Sequence, residues 1–181
     1  MKITEQKKTA AQWWQTLQPY WPNGKPNPTS DRAALARLRR GDLLAAATDP
    51  VTMELFRALG CRRQEELPNV ALCAAVLANV RENRKEEHPA RTLGPLPGEP
   101  AEQAKMKPLR FRRLIEAEDP EERLILLRRA VQLAGDNLNV AELASACLSW
   151  TTERRQRWIF EYYAAGRAAP ATAIETIHER T

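Results

Sequence analysis

The chain has 181 residues, 43% of them hydrophobic, and sets 28 Lys+Arg against 23 Asp+Glu for a net charge of +5. That apolar content excludes a disordered tail and suffices for a core. The small charge excess excludes a uniformly cationic chain, so any surface that binds a polyanion must come from local segregation of its cations.

Helix signals recur along the whole sequence. Ala10, Trp13, Trp14 and Leu17 form an apolar stripe that predicts a helix over Thr4–Leu17, stopped by Pro19 and Pro22. Trp21–Pro28 reads as a Pro/Asn/Gly loop. Ser30 is placed to cap a helix over Asp31–Arg40, with Leu35 and Leu38 inward and Gly41 at its end. Asp49-Pro50 supplies a cap and a first-turn proline for a helix reaching Leu59 and closed by Gly60. Pro68 opens a helix carrying Leu72, Cys73, Val76, Leu77 and Val80, which turns charged at Arg81–Glu87.

Five prolines and two glycines between His88 and Pro108 mark a mobile, basic linker. They divide an N-terminal helical subdomain, 1–87, from a C-terminal helical bundle, 109–181. In the second half, Leu109–Ala117 reads as a helix with Phe111, Leu114 and Ile115 inward. Asp119-Pro120-Glu121-Glu122 starts the next, since cap, proline and acids all suit the orphan amides and the dipole. It buries Leu124, Leu127, Val131 and Ala134 before Gly135. Asn139 and Glu142 make a capping-box variant for Val140–Trp150. Thr152 caps a helix to Ala165, with Trp158, Ile159, Tyr162 and Tyr163 inward and Gly166 after it, and Pro170 begins a short terminal helix. The fold class is all-α, a compact bundle of about eight or nine helices.

Reactive chemistry has little to work with. Cys61, Cys73 and Cys147 are widely spaced among apolar neighbours, which suits buried, reduced thiols better than a disulfide or a zinc site. His88 and His178 stand far apart without a third ligand or a nucleophile beside them, and no phosphate-loop, metalloprotease or nucleophile-elbow motif occurs. The acids from Glu116 to Glu122 read as helix ends and a turn rather than as a two-metal site. The expectation is a protein that is no enzyme and has no catalytic residue, cofactor or metal. Met1–Lys8 is polar with no apolar stretch behind it, and Val70–Val80 is too short to span a bilayer, so the expected location is cytoplasmic, without membrane contact.

The informative residues are arginines. Lys105, Lys107, Arg110, Arg112 and Arg113 follow one another without an intervening anion. Neutralising about five phosphates there predicts a log–log salt slope near −4.5 on duplex DNA. Arg128 and Arg129 lie beside their helix's apolar stripe, where both reach solvent, and Glu121 and Glu122 are too far back for i,i+4 pairing. Arg154 and Arg155 oppose the dipole at a helix start, whereas Arg157 has Glu153 and Glu161 at pairing distance. Arg37, Arg39 and Arg40 cluster at a helix C-terminus, where the dipole already favours them. Trp13, Trp14, Trp158, Tyr162 and Tyr163 sit at core spacing, so phosphate contact is favoured over base stacking.

These features in this order resemble CasB, the small subunit of the type I-E Cascade complex of CRISPR systems. The resemblance rests on LRFRRLIEAEDPEERLILLRRAVQLAG, NVAELASACLSW and TTERRQRWIFEYY, with support from Trp14–Leu17 and from RLRR at Arg37–Arg40. It implies a non-enzymatic, all-helical subunit of an RNA-guided antiviral complex, present as two copies. Implied partners are the large subunit, the repeat backbone subunits, the crRNA-paired target DNA and the displaced strand, so that the R-loop is stabilised without reading its sequence. Arg129, Arg40, Arg39 and Arg110 match basic family positions on the DNA-facing side. The chain departs from the family pattern at Thr151-Thr152-Glu153, at Pro68-Asn69, and in its proline-rich 93–106 stretch. Two alternatives stay open: a helix-turn-helix transcriptional regulator using Leu109–Gly135, and a helical adaptor that binds no nucleic acid.

Overall fold

Residues 2–164 are described by the structure, a computed structural model; the terminal helix predicted from Pro170, together with Gly166 and His178, lies outside them. The described residues form ten α-helices and one two-stranded parallel sheet: α1 (Ile3–Leu17), α2 (Arg32–Arg40), α3 (Leu43–Thr48), α4 (Pro50–Ala58), α5 (Leu67–Leu77), β1 (Glu82–Asn83), α6 (Pro89–Leu93), α7 (Pro108–Glu116), α8 (Pro120–Leu133), β2 (Asn137–Leu138), α9 (Val140–Leu148) and α10 (Thr152–Tyr162). The all-α class is as expected. The two helices without a sequence signal, α3 and α6, are short and held by their neighbours.

α5 organises the rest. Every residue from Val70 to Leu77 is buried, so this helix is apolar all round and covered on all sides, by α3, α4, α8 and α9 among others. α1 lays Ala10, Trp13, Trp14 and Leu17 against this centre, and both indoles find buried acceptors: Trp13 Nε1–H donates to Val51 O (3.0 Å) and Trp14 Nε1–H to Val80 O (3.2 Å).

Local chemistry explains the helix ends. Asp31, Asp42, Asp49, Asp119, Asn139 and Thr151 each accept a backbone amide of the following first turn. Asp31 takes the cap expected of Ser30, and Thr151 that of Thr152. Gly135 adopts φ 73°, a left-handed turn that lets α8 stop and the chain enter β2.

Two segments differ from their sequence reading. Arg81–Glu87 does not extend α5: Arg81 N–H donates to Asp136 O (2.8 Å) and Arg84 N–H to Leu138 O (3.2 Å), which pairs β1 with β2. The stretch predicted to be mobile, 88–108, is packed. Ala90 and Leu93 of α6 are fully buried, Met106 is 1% exposed, and Met106 N–H donates to Leu93 O at 3.0 Å. Apolar residues between the prolines outweigh the prolines' breaking tendency once α10 lies across them.

Candidate nucleic-acid interface

The sequence PLRFRRLIE folds α7 with one narrow apolar side. Pro108 occupies the first turn, where a missing amide costs nothing, and Phe111 and Leu114 are buried. Arg110, Arg112 and Arg113 are thereby left in solvent. α8 buries Leu124, Leu127, Ala130 and Val131, which turns Ile125 and Arg129 outward. Between the two helices runs a groove of about 430 Å3 whose lining includes Arg110, Arg113, Arg128 and Arg129 and, among the described residues, no carboxylate. Arginines nineteen positions apart in sequence, Arg110 to Arg129, thus meet in one trough.

The four differ in what else holds them. Arg113 Nε–H donates to Glu122 Oε1 (2.9 Å) across the α7–α8 turn. Among the described residues, the Arg129 guanidinium donates to Gln132 Oε1 (3.4 Å) and has no ion-pair partner, and neither has Arg110. Arg128 departs from the expectation that it reaches solvent. Its guanidinium donates to Leu38 O (2.6 Å) and Gly41 O (2.7 Å), closing the C-terminus of α2, and burial lowers its pKa. The end of α2 that carries exposed Arg40 is so stapled to α8.

These contacts separate the neighbouring arginines experimentally. Arg128→Ala leaves two helix-end carbonyls without their donor and is expected to cost about 1 kcal/mol of stability. Arg129→Ala should stay within about 0.5 kcal/mol of the parent. Urea unfolding of both variants checks this, and equal stabilities would remove the capping role of Arg128.

The other candidate cations are placed elsewhere. Lys105 is exposed, and the Lys107 ammonium donates to Glu102 O. Arg112 pairs with Glu116 at 2.8 Å, and Arg39 Nε–H donates to Ala78 O at 2.6 Å. On α10, Arg155 lies 3.5 Å from Glu118, and Arg157 reaches Glu142 (3.8 Å) rather than Glu153 or Glu161. Arg154 is half-buried, its Nε has no hydrogen-bond partner among the described residues, and burial lowers its pKa. None of these α10 arginines lines the α7–α8 groove.

Helix geometry accounts for the acids of the turn: Glu116, Glu118 and Glu122 each face an arginine, and Asp119 caps α8. Among the described residues, no three His, Cys, Asp or Glu side chains cluster to hold a metal ion. Cys73 and Cys147 are buried, and a hydrogen bond between the two thiols, together with burial, pushes the Cys73 thiol well up. Cys61 is only partly covered. Arg123 was not singled out by its sequence position. It is 5% exposed and donates to Asn69 Oδ1 (3.0 Å), while its Nε and one terminal nitrogen have no partner among the described residues.

The aromatics are divided. Trp13, Trp14, Trp158 and Tyr162 are core residues, but Tyr163 is 50% exposed, as is half of Phe160, and Ile159 also faces out. Helical spacing at the end of α10 could not show that, among the described residues, no neighbour covers this side.

Helices wrapped around one buried helix, with arginines gathered from two others into one groove, define a helical protein that presents positive charge. Over residues 34–163 the chain matches the family model of CRISPR-associated protein Cse2. It belongs to that family, the CasB small subunit of type I-E Cascade, and so to the structural subunits of a CRISPR complex. No curated protein and no solved structure matches the chain. Among the described residues, no helix is long and apolar enough to cross a membrane.

Proposed function

We propose that this Cascade subunit holds polynucleotide by its sugar-phosphate backbone, stabilising target DNA and the displaced strand of the R-loop without reading sequence. The observation that carries this reading is the α7–α8 groove, where four arginines and, among the described residues, no carboxylate line one trough. Guanidinium groups match phosphate oxygens in planar, two-point geometry, and a groove focuses their field. Arg110, Arg113 and Arg129 make the contacts, with Arg40 and Lys105 extending the cationic surface and Arg128 fixing the α2 end beside it. Arg39, Lys107, Arg112, Arg154, Arg155 and Arg157 add weaker, partly compensated charge.

The regulator alternative fits less well. A recognition helix contacts base edges with its N-terminal residues, and the first turn of α8 carries Glu121 and Glu122, which a DNA groove repels.

Fluorescence anisotropy with unrelated single-stranded and duplex DNAs across a salt series tests the proposal, for the chain alone and within assembled Cascade. Replacing Arg110, Arg113 and Arg129 together by Ala should weaken binding about tenfold at moderate salt and shrink the log–log slope by roughly 2 to 3. An unchanged slope would move the phosphate contacts off this groove. A marked preference for one duplex sequence would overturn the sequence-independent reading.

A further inference from the structure

A second groove, of about 720 Å3, opens between the end of α1, the loop after it, the start of α2 and the β1 segment. It differs in chemistry from the α7–α8 trough because aromatic rings share it with cations. Tyr20 is 55% exposed, and Trp21 beside it is half-buried. The loop presenting them is fixed. Trp21 N–H donates to Lys25 O (2.9 Å), Gly24 N–H returns to Trp21 O (2.9 Å), and Gly24 takes φ 78°, a turn open to glycine. Below it, the Asn27 carboxamide nitrogen lies within hydrogen-bond reach of Gln15 O, Thr16 O and Gln18 O at 3.1, 3.0 and 2.8 Å, its two N–H groups shared among carbonyls at the end of α1, which anchors the loop.

Charge in this groove is one-sided. Arg32, Arg39, Arg81 and Lys85 line it against one acid, Glu82. Arg81 is offset by Asp136 at 3.2 Å, and Arg39 is held by a carbonyl. Arg32 and Lys85 are exposed and have no ion-pair partner among the described residues. Arg32 is also the first residue of α2, where the helix dipole opposes a cation rather than stabilising it. Lys85 has a fixed backbone, since Asn139 Nδ2–H donates to Lys85 O at 2.6 Å.

The geometry points to this groove as the seat of one unpaired nucleotide of a single-stranded polynucleotide, its base against Tyr20 and Trp21 and its flanking phosphates on Arg32 and Lys85. Aromatic faces accept any base, cations beside them take the backbone, and a base still stacked in a duplex cannot enter. The inference rests on the polynucleotide reading above but uses separate residues. It adds base contact and a preference for single strands, neither of which the arginine trough supplies.

Anisotropy at fixed salt with a fluorescein-labelled oligothymidine and an abasic strand of equal length tests it, because both carry the same phosphates. The full-length protein should bind oligothymidine about fivefold or more tightly than the abasic strand. Tyr20→Ala and Trp21→Ala should each reduce that ratio towards one and leave the salt slope intact, whereas Tyr20→Phe and Trp21→Phe keep it. Tyr20 is exposed enough that its variants should melt with the parent, so a folding defect at Trp21 would not decide the outcome. Equal affinity for the two strands, or a ratio that survives both Ala variants, would overturn the nucleotide seat. That result leaves the arginine trough standing. Conversely, a base-dependent ratio together with an unchanged salt slope in the Arg110/Arg113/Arg129 variant would overturn the trough and support the seat.

Discussion

Gly94→Ala is expected to destabilise the protein by about 3 kcal/mol or more, the upper range for forcing atoms into a packed site. Gly94 follows α6 at φ −74° and ψ 178°, a conformation any residue adopts, so the cost is steric. A Cβ there would overlap the carbonyl oxygen of Tyr162, with the carbonyl carbon at 3.0 Å and Cα at 3.3 Å. These are backbone atoms and cannot rotate away. α10 would have to move, and Tyr162 is its anchor: the ring is fully buried, stacks on Phe111 with centroids 3.8 Å apart, and its hydroxyl donates to Met106 O at 2.6 Å. Displacing it therefore loosens the seat of α7, on which the arginine trough depends. Thermal unfolding should shift down by roughly 6 to 12 °C. A variant that melts within about 2 °C of the parent would mean that α6 and α10 do not approach this closely.

Acid should weaken the fold through His88 before the carboxylates protonate. His88 is 8% exposed, edge-on to Trp158 with ring centroids 5.5 Å apart, and its Nδ1 accepts the Ala90 amide at 3.2 Å as the cap of α6. An accepting Nδ1 places the proton of the neutral ring on Nε2. Burial and the charge of Arg157 and Arg91, opposed by Glu161 and Glu142, lower its pKa from 6.5 to about 4. Between these values the unfolded chain binds the proton and the folded chain does not. The stabilisation is complete above the unfolded value and is lost as pH falls through this window, levelling off near the folded value. The protein should be about 2 kcal/mol less stable at about pH 5 than at about pH 7. His88→Asn keeps a capping side chain but cannot titrate, and should abolish most of this difference in urea unfolding. An equal pH dependence in parent and variant would assign it to other groups.

Much of the helical layout was legible because its signals are local. Asp49-Pro50, Asp119-Pro120 and Asn139 mark starts through bonds to amides two or three residues on, and the α1, α7 and α8 stripes repeat at helical spacing. The readings that changed depended on distant neighbours. Arg81–Glu87 turned from helix to a short strand, Glu82–Asn83, and a turn because Asp136 and Leu138 offer carbonyls across the fold, and Ile159 and Tyr163 turned outward because nothing described packs there. In the candidate site, the sequence identified the arginines as a class but not their surroundings. Arg113 with Glu122, Arg128 with the end of α2, and Tyr20 and Trp21 beside Arg32 and Lys85 are juxtapositions across separate elements.

By itself, then, the sequence determined the all-helical class, most helix starts and the local excess of arginine, since caps, prolines and apolar periodicity act within a few residues. The family resemblance, too, was carried by ordered strings of residues. Tertiary structure alone decided that the proline-rich stretch is packed under α10 and that Arg128 caps a helix while Arg110 and Arg129 face a groove. It also buried His88 against Trp158. Each depends on which surfaces meet after long chain separations, and desolvation and hydrogen-bond partners are set there, not by neighbours in sequence.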